Sequence, residues 1–317
     1  MGSLVEIGSG DFKYNITPIW AKPTQNCFWR DVAGVAVDSK DRVYIFSRGS
    51  DPVTVFDNNG NFLNSWGENL FHRPHAITAA PDDTLYCTDD WGHTVRHCSP
   101  DGKVLMTIGT QDVPSAPHSG IPFNQCTDVA INPNTGYIYV TDGYRNSAVH
   151  KYSPDGKLLV SWGKPGTDPG EFNIVHNICI DNDGYVYVAD RENHRIQIFD
   201  SNGKFETQWA NMHRPSALHI SNDQYIYVGE LGYEMQVNSS VPNIGPKISI
   251  YNKDGKRLAQ FGDPHPGFMP GQFYAPHSIC LNSKNDLFLG EVDWTYSRSL
   301  GEPRDEVRGI QKLNKIT

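Results

Sequence analysis

Three of the chain's twelve histidines stand at one recurring place in its sequence. They are His75 in Arg73-Pro74-His75-Ala76-Ile77, His176 in Ile174-Val175-His176-Asn177-Ile178, and His277 in Ala275-Pro276-His277-Ser278-Ile279. The intervals 75–176 and 176–277 are equal. Three neutral imidazoles suit Zn²⁺ and leave a coordination position for water or substrate. A lone histidine at the start of a strand is more often a hydrogen-bonded structural residue, so the weight rests on the shared phase. The other nine lack it. His72 and His213 belong to a repeated His-Arg-Pro entry segment and read as structural, while His93 and His194 fall in turns and read as solvated.

Only a repeat architecture can hold residues so far apart in one phase. Val175–Ala210 and Cys126–Gly163 share one grammar: an apolar run, an Asn/Asp/Gly turn, Tyr-x-Tyr-Val, a second turn, a β-branched run, Asp-Gly or Asn-Gly, then an aromatic-ended run. The same order recurs over 34–67, 74–109, 215–262 and 276–317. Short β-branched and aromatic runs joined by Asn-Gly or Asp-Gly turns are hairpins. Four strands per unit at this spacing describe an all-β, six-bladed β-propeller in one domain. The last unit lacks an outer strand, and Lys13–Trp20 has the missing character. The N-terminal strand is therefore expected to close blade six, since an open edge is a liability. The fifth and sixth units carry insertions, Leu231–Pro246 and Asp293–Arg308, which are expected to hang from one rim and shape a binding mouth.

In such a ring, alternate blades are related by a near-threefold rotation about the channel. Histidines on blades two, four and six then converge on the axis, while Ala33, Thr127 and Ser216 take the matching place on blades one, three and five.

The chain's 317 residues carry a formal charge of −9 and no basic run. That argues against nucleic acid or an anionic membrane as partner. No apolar stretch is long enough for a transmembrane helix. The first eleven residues lack the basic start and apolar middle of a signal peptide, so a cytoplasmic location is the expectation. Six cysteines (Cys27, Cys87, Cys98, Cys126, Cys179, Cys280) are scattered without a C-x-x-C pair and read as buried thiols.

The combination resembles the peptidyl-α-hydroxyglycine α-amidating lyase family, six-bladed propellers related to the NHL-repeat proteins. The likeness covers nearly the whole chain. It is densest in Gly34–Gly49, Asn69–His75, Thr127–Ala130, Asp142-Gly143-Tyr144-Arg145-Asn146-Ser147 and Ala189–Asn193. Asp-Gly-Tyr-x-Asn-Ser with three phased histidines is its specific part. The resemblance implies zinc on His75, His176 and His277, Tyr144 as base, and Arg48 beside it. The reaction it implies removes the hydroxyl proton of an α-hydroxyglycine and breaks its C–N bond, giving an amide and glyoxylate. A phenol is a poor base unless a cation assists it, and Arg48 can do that or grip a substrate carboxylate bidentately. Alternatively, Tyr144 is a packed turn aromatic and Arg48 a rim ion-pair residue.

The resemblance further implies a structural Ca²⁺ on the backbone carbonyls of Val35 and Ile77 plus an Asp after the third histidine. Here that residue is Ser278, which removes the only charged ligand. The family's half-cystine is replaced by Arg145, so that disulfide cannot form. A family methionine near the third histidine is Ala275, which points to a different pocket. The expected substrate is a small molecule or short peptide-like carbinolamide. Two other functions compete: a hydrolase for an ester, lactone or amide on the same His₃ site, and a non-enzymatic NHL-type binding propeller. The latter predicts a basic or aromatic face and no phased histidines.

Overall fold

The computed structural model describes residues 5–17, 19–21, 28–242, 244–301, 303 and 308–316; Cys27 lies outside them. Five of the expected turns carry a glycine in the left-handed region (Gly60, Gly102, Gly156, Gly203 and Gly255, φ between 76° and 91°). This is the conformation that lets a tight hairpin follow the strand twist. Each turn joins the third strand of a blade to the exposed outer strand. Six antiparallel sheets result, five of four strands and one of five.

The innermost strands are Val32–Val37, Pro74–Ala79, Cys126–Ile131, Val175–Ile180, Pro215–Ile220 and Pro276–Leu281. They and their second and third strands are nearly all buried, whereas the outer strands of blades one to four are mostly exposed. Blades one to five begin with their innermost strand and run outward in chain order. The sixth pairs Pro276–Leu281 with Leu287–Glu291, then Ile310–Lys315, then the N-terminal Phe12–Thr17. The ring is thus closed by its N-terminus, as the missing strand implied. Beyond expectation, Val5–Ser9 folds back on Phe12–Thr17 as a fifth strand.

Closure rests on packing as well as pairing. Phe12, Tyr14 and Ile16 are buried with Tyr227, Ile250, Phe261 and Leu313, and the Tyr14 and Tyr227 hydroxyls are 3.0 Å apart. Trp20 lies edge-on to Phe288 at 4.9 Å. Burying the first three of these side chains and half-burying Trp20 is worth roughly 5–10 kcal/mol. Deleting residues 1–20 should therefore lower the melting temperature of the whole domain by more than about 10 °C. An unchanged midpoint in the truncated protein would remove the N-terminus from the closure.

In blades two to six one acid ties the entry segment to the sheet; in blade one Ser47 stands at that place. Asp89, Asp142, Asp190, Glu230 and Glu291 each end a second strand, are fully buried, and accept from the backbone N–H groups of His72 and Arg73, Asn124, Asn173, His213 and Tyr274. Buried carboxylates need such donors. His72 and His213 owe their repeated position to this latch, through their backbones. His93 and His194 are half-buried rather than solvated, and the His93 ring accepts from the Gln125 N–H.

Candidate metal centre and active site

In every blade the innermost strand slips register around its second residue: between Val32 and Gly34, Pro74 and Ala76, Cys126 and Asp128, Val175 and Ile178, Pro215 and Ala217, and Pro276 and Ser278. A bulge leaves one residue out of the ladder and re-aims its side chain. The bulged positions hold Ala33, His75, Thr127, His176, Ser216 and His277. This re-aiming turns equal sequence spacing into convergence on the axis.

The three imidazoles face one another with centroids 4.7–5.0 Å apart, and one ring nitrogen of each lies within 4.8 Å of the other two. Each ring is fixed from behind by the next blade. Nδ1 of His75, His176 and His277 lies 2.5, 2.7 and 2.7 Å from the backbone carbonyls of Thr127, Ser216 and Ala33. A carbonyl only accepts, so Nδ1 carries the proton and the Nε2 lone pair faces the axis. The small residues of the odd blades thus supply the orienting carbonyls, the usual partners of metal-ligating histidines. Burial is the main force keeping the rings neutral. For His75 the other two imidazoles add to it, for His176 Arg191, and for His277, pushed down to about 3, Arg48. Oriented, neutral and buried nitrogens with convergent lone pairs fit a divalent metal of the zinc type.

A second ring of six lies above the first. The backbone N–H groups of Arg48, Asp90, Tyr144, Arg191, Leu231 and Val292 bond to the carbonyls of Asp31, Arg73, Gln125, Ile174, Arg214 and Ala275. Each acceptor lies two residues before the bulge of its blade, so the donors are equivalent. Blade three reaches this register with one extra residue, Gly143. A Cβ on Gly143 would stand 1.5 Å from the Val175 carbonyl oxygen, so only glycine lets the chain pass there. The extra residue carries Tyr144 over the axis. Its hydroxyl lies 2.9 Å from Nε2 of His75 and 3.3 Å from Nε2 of His176.

The guanidiniums flanking the Tyr144 ring are those of Arg73 and Arg191, at 5.8 and 5.7 Å from its centroid. Arg48 stands across the mouth. Its Nη1 pairs with Asp31 at 3.2 Å, its Nε donates to the Pro74 carbonyl, and its Nη2 is buried without a partner. Asp31 is itself held by the Thr295 backbone N–H and hydroxyl, from the short helix Asp293–Ser299 of the sixth-blade insertion. The fifth-blade insertion meets the sixth where the Tyr296 hydroxyl donates to the Tyr233 carbonyl. Arg191 is anchored by Glu192, which also binds Arg214. Arg73, Arg191 and Asp90 were not singled out from sequence. Aligning the repeats on the ends of their second strands, rather than on their first, would have found Arg191 and Asp90.

At the other end of the channel the phase residue plus one gives a different set. Asp128, Asn177 and Ser278 accept from the backbone N–H groups of Ile178, Leu218 and Val35 in the adjacent blade. Val35 and Ile77 line this same end. The Ser278 hydroxyl is engaged with Val35, however, and the buried carboxylate here is Asp128, pushed up to about 7 by desolvation. One high-pKa carboxylate and a few latched groups do not make the six to eight oxygens of a Ca²⁺ cage. The donors do not fit the calcium site that the resemblance implies. The five described cysteines are buried free thiols.

Architecture and centre define a six-bladed propeller of NHL type, with three inward histidines on alternate blades. The NHL repeat matches residues 123–152 and 172–199. The chain is 34% identical over 321 residues to the mouse peptidyl-glycine α-amidating monooxygenase, covering 89% of this chain and 32% of that protein. It is 28% identical over 336 residues to peptidyl-α-hydroxyglycine α-amidating lyase 1 of Drosophila melanogaster, covering 89% and 59%. Among solved structures, a catalytically inactive virginiamycin B lyase from Staphylococcus aureus with quinupristin matches with a TM-score of 0.61, covering 96% of this chain and 100% of that one. At 17% identity this shows the fold alone. The chain belongs to the peptidyl-α-hydroxyglycine α-amidating lyase family. It spans about a third of the length of the amidating monooxygenases it matches.

Proposed function

We propose that this protein is a zinc-dependent carbon–nitrogen lyase that cleaves a peptidyl-α-hydroxyglycine or similar carbinolamide to an amide and a glyoxylate-type product. The observation that carries the reading is the Tyr144 hydroxyl at 2.9 and 3.3 Å from two of three convergent Nε2 atoms. A proton acceptor at the open face of a His₃ centre is what this elimination needs.

His75, His176 and His277 would hold the ion, which when bound supplies a Lewis acid that polarises the substrate's oxygen. The chain's own groups do the rest. The unpartnered Nη2 of Arg48 offers a donor to the substrate carboxylate. Tyr144 oxygen, as phenolate, takes the proton of the α-hydroxyl. As the C=O bond forms, the C–N bond breaks and its electron pair stays on the amide nitrogen. That nitrogen receives a proton from the Tyr144 hydroxyl, so no net proton is consumed. Arg73 and Arg191 hold positive charge beside the ring throughout.

The test is product analysis with a synthetic N-acyl-α-hydroxyglycine in ¹⁸O-labelled water. A lyase gives the primary amide and glyoxylate in equal amounts. A hydrolase on the same centre would instead give the free acid carrying label, and that product would overturn the lyase reading.

A further inference from the structure

Beside the metal centre, between blades one and two, lies a chamber of about 440 Å³. It starts one residue from a metal-site histidine, at Pro74, and its walls include Arg48, Arg73, Arg30, Trp91 and Trp294. On blades three and four the approach is walled by Tyr144 and Arg191, and the two insertions meet over blades five and six. An acyl arm leaving the reacting carbon therefore has this chamber as its seat.

The lining has an unusual charge balance. Arg73 lies over the Trp91 indole at 5.1 Å and Arg30 over the Trp294 indole at 5.3 Å. A guanidinium stacked on a ring still directs its in-plane N–H donors sideways, the arrangement that recognises a carboxylate. Arg73 is shared with the buried Asp90, 3.1 Å away. Arg30 has no carboxylate partner among the described residues, and Asp31, the acid lining the chamber, is already engaged by Arg48 and Thr295. Trp91 remains 55% exposed, wide open for so large an apolar side chain. Three guanidiniums thus face a cavity whose lining acid is taken.

We propose that this chamber is the subsite for the residue amide-bonded to the α-hydroxyglycine, and that it selects an acidic side chain there. The assignment rests on the lyase reading for its orientation. Arg48 takes the α-carboxylate common to every such substrate, and Arg30 with Arg73 takes the second carboxylate, over the two indoles.

Binding can be read without turnover. N-acetyl-Glu-Gly and N-acetyl-Gln-Gly lack the α-hydroxyl and cannot react. Their affinities for the full-length, zinc-loaded protein are measured by titration of tryptophan fluorescence and by calorimetry. The Glu probe should bind about tenfold or more tightly, as expected of a charge-assisted contact, and the ratio should shrink with salt. Arg30→Gln, at an exposed position, should bring the ratio to within about twofold, mainly by weakening the Glu probe. Equal binding of the two probes by the wild type, or a preference that survives Arg30→Gln, would overturn the assignment. Turnover of the two α-hydroxylated forms then judges the lyase reading separately. Cleavage of both at equal rates with equal binding leaves the lyase standing and removes the subsite. A Glu preference in binding with no cleavage of either does the reverse.

Discussion

Replacing any one of His75, His176 and His277 by alanine is expected to take the protein from about one zinc per chain to nearly none after dialysis. Each imidazole supplies a third of the donor set, and no other described His, Cys, Asp or Glu joins the group to replace it. The loss is severe because the site is preorganised: every ring is fixed by a carbonyl of the adjacent blade. Removing a ring also strands that carbonyl, at a cost of about 1–3 kcal/mol, so circular dichroism must accompany the metal analysis. Burial and neighbouring cations hold the folded-state histidine pKa values below the ordinary value. Proton competition for the metal should therefore be weak at pH 5.5. Without metal the sign reverses for stability. The unfolded chain then binds more protons than the folded one, so the apoprotein should lose stability as pH falls below about 6.5. Full zinc occupancy in all three alanine variants would refute the centre, leaving three structural histidines.

The histidine phase was legible because a repeat fixes geometry: once the strands are counted, equal position in the repeat means equal radius and height. The ring closure was legible for a similar reason, through the missing outer strand. The bulge was not. Pro74-His75 and Val175-His176 read as ordinary strand starts, and the slip of register is decided by what the next blade offers the ring nitrogen. Arg191 was hidden inside Asp-Arg-Glu-Asn, a run common enough in such repeats to look structural, and Asp190 and Asn193 are indeed structural there. Arg73 was read as part of an entry segment, since nothing local reveals that its side chain reaches the Tyr144 ring. The strand Val5–Ser9 was missed because it completes no apolar layer. It adds to the outer edge of the strand that already closes the blade, and its own residues are exposed or half-buried.

Tyr144→Phe should keep the zinc and lose about 10²–10⁴ in turnover, the range for a general base. The substitution removes one oxygen and leaves the ring between the Arg73 and Arg191 guanidiniums, so packing barely changes. Metal affinity is the control, because the three ligand imidazoles and the carbonyls that fix them are untouched by the substitution. If Tyr144 is only a packed turn aromatic, the variant should be nearly silent. A variant with intact zinc and more than about a tenth of wild-type turnover, well outside that range, would take Tyr144 out of the mechanism and favour the hydrolase, whose water needs no phenol. Arg48→Ala separates a second contribution. Arg48 is held by Asp31 and the Pro74 carbonyl, so its loss should raise KM for carboxylate-bearing substrates as well as lower kcat. Tyr144→Phe should act on kcat with KM little changed, because its hydroxyl is used when the proton moves and not when the substrate binds.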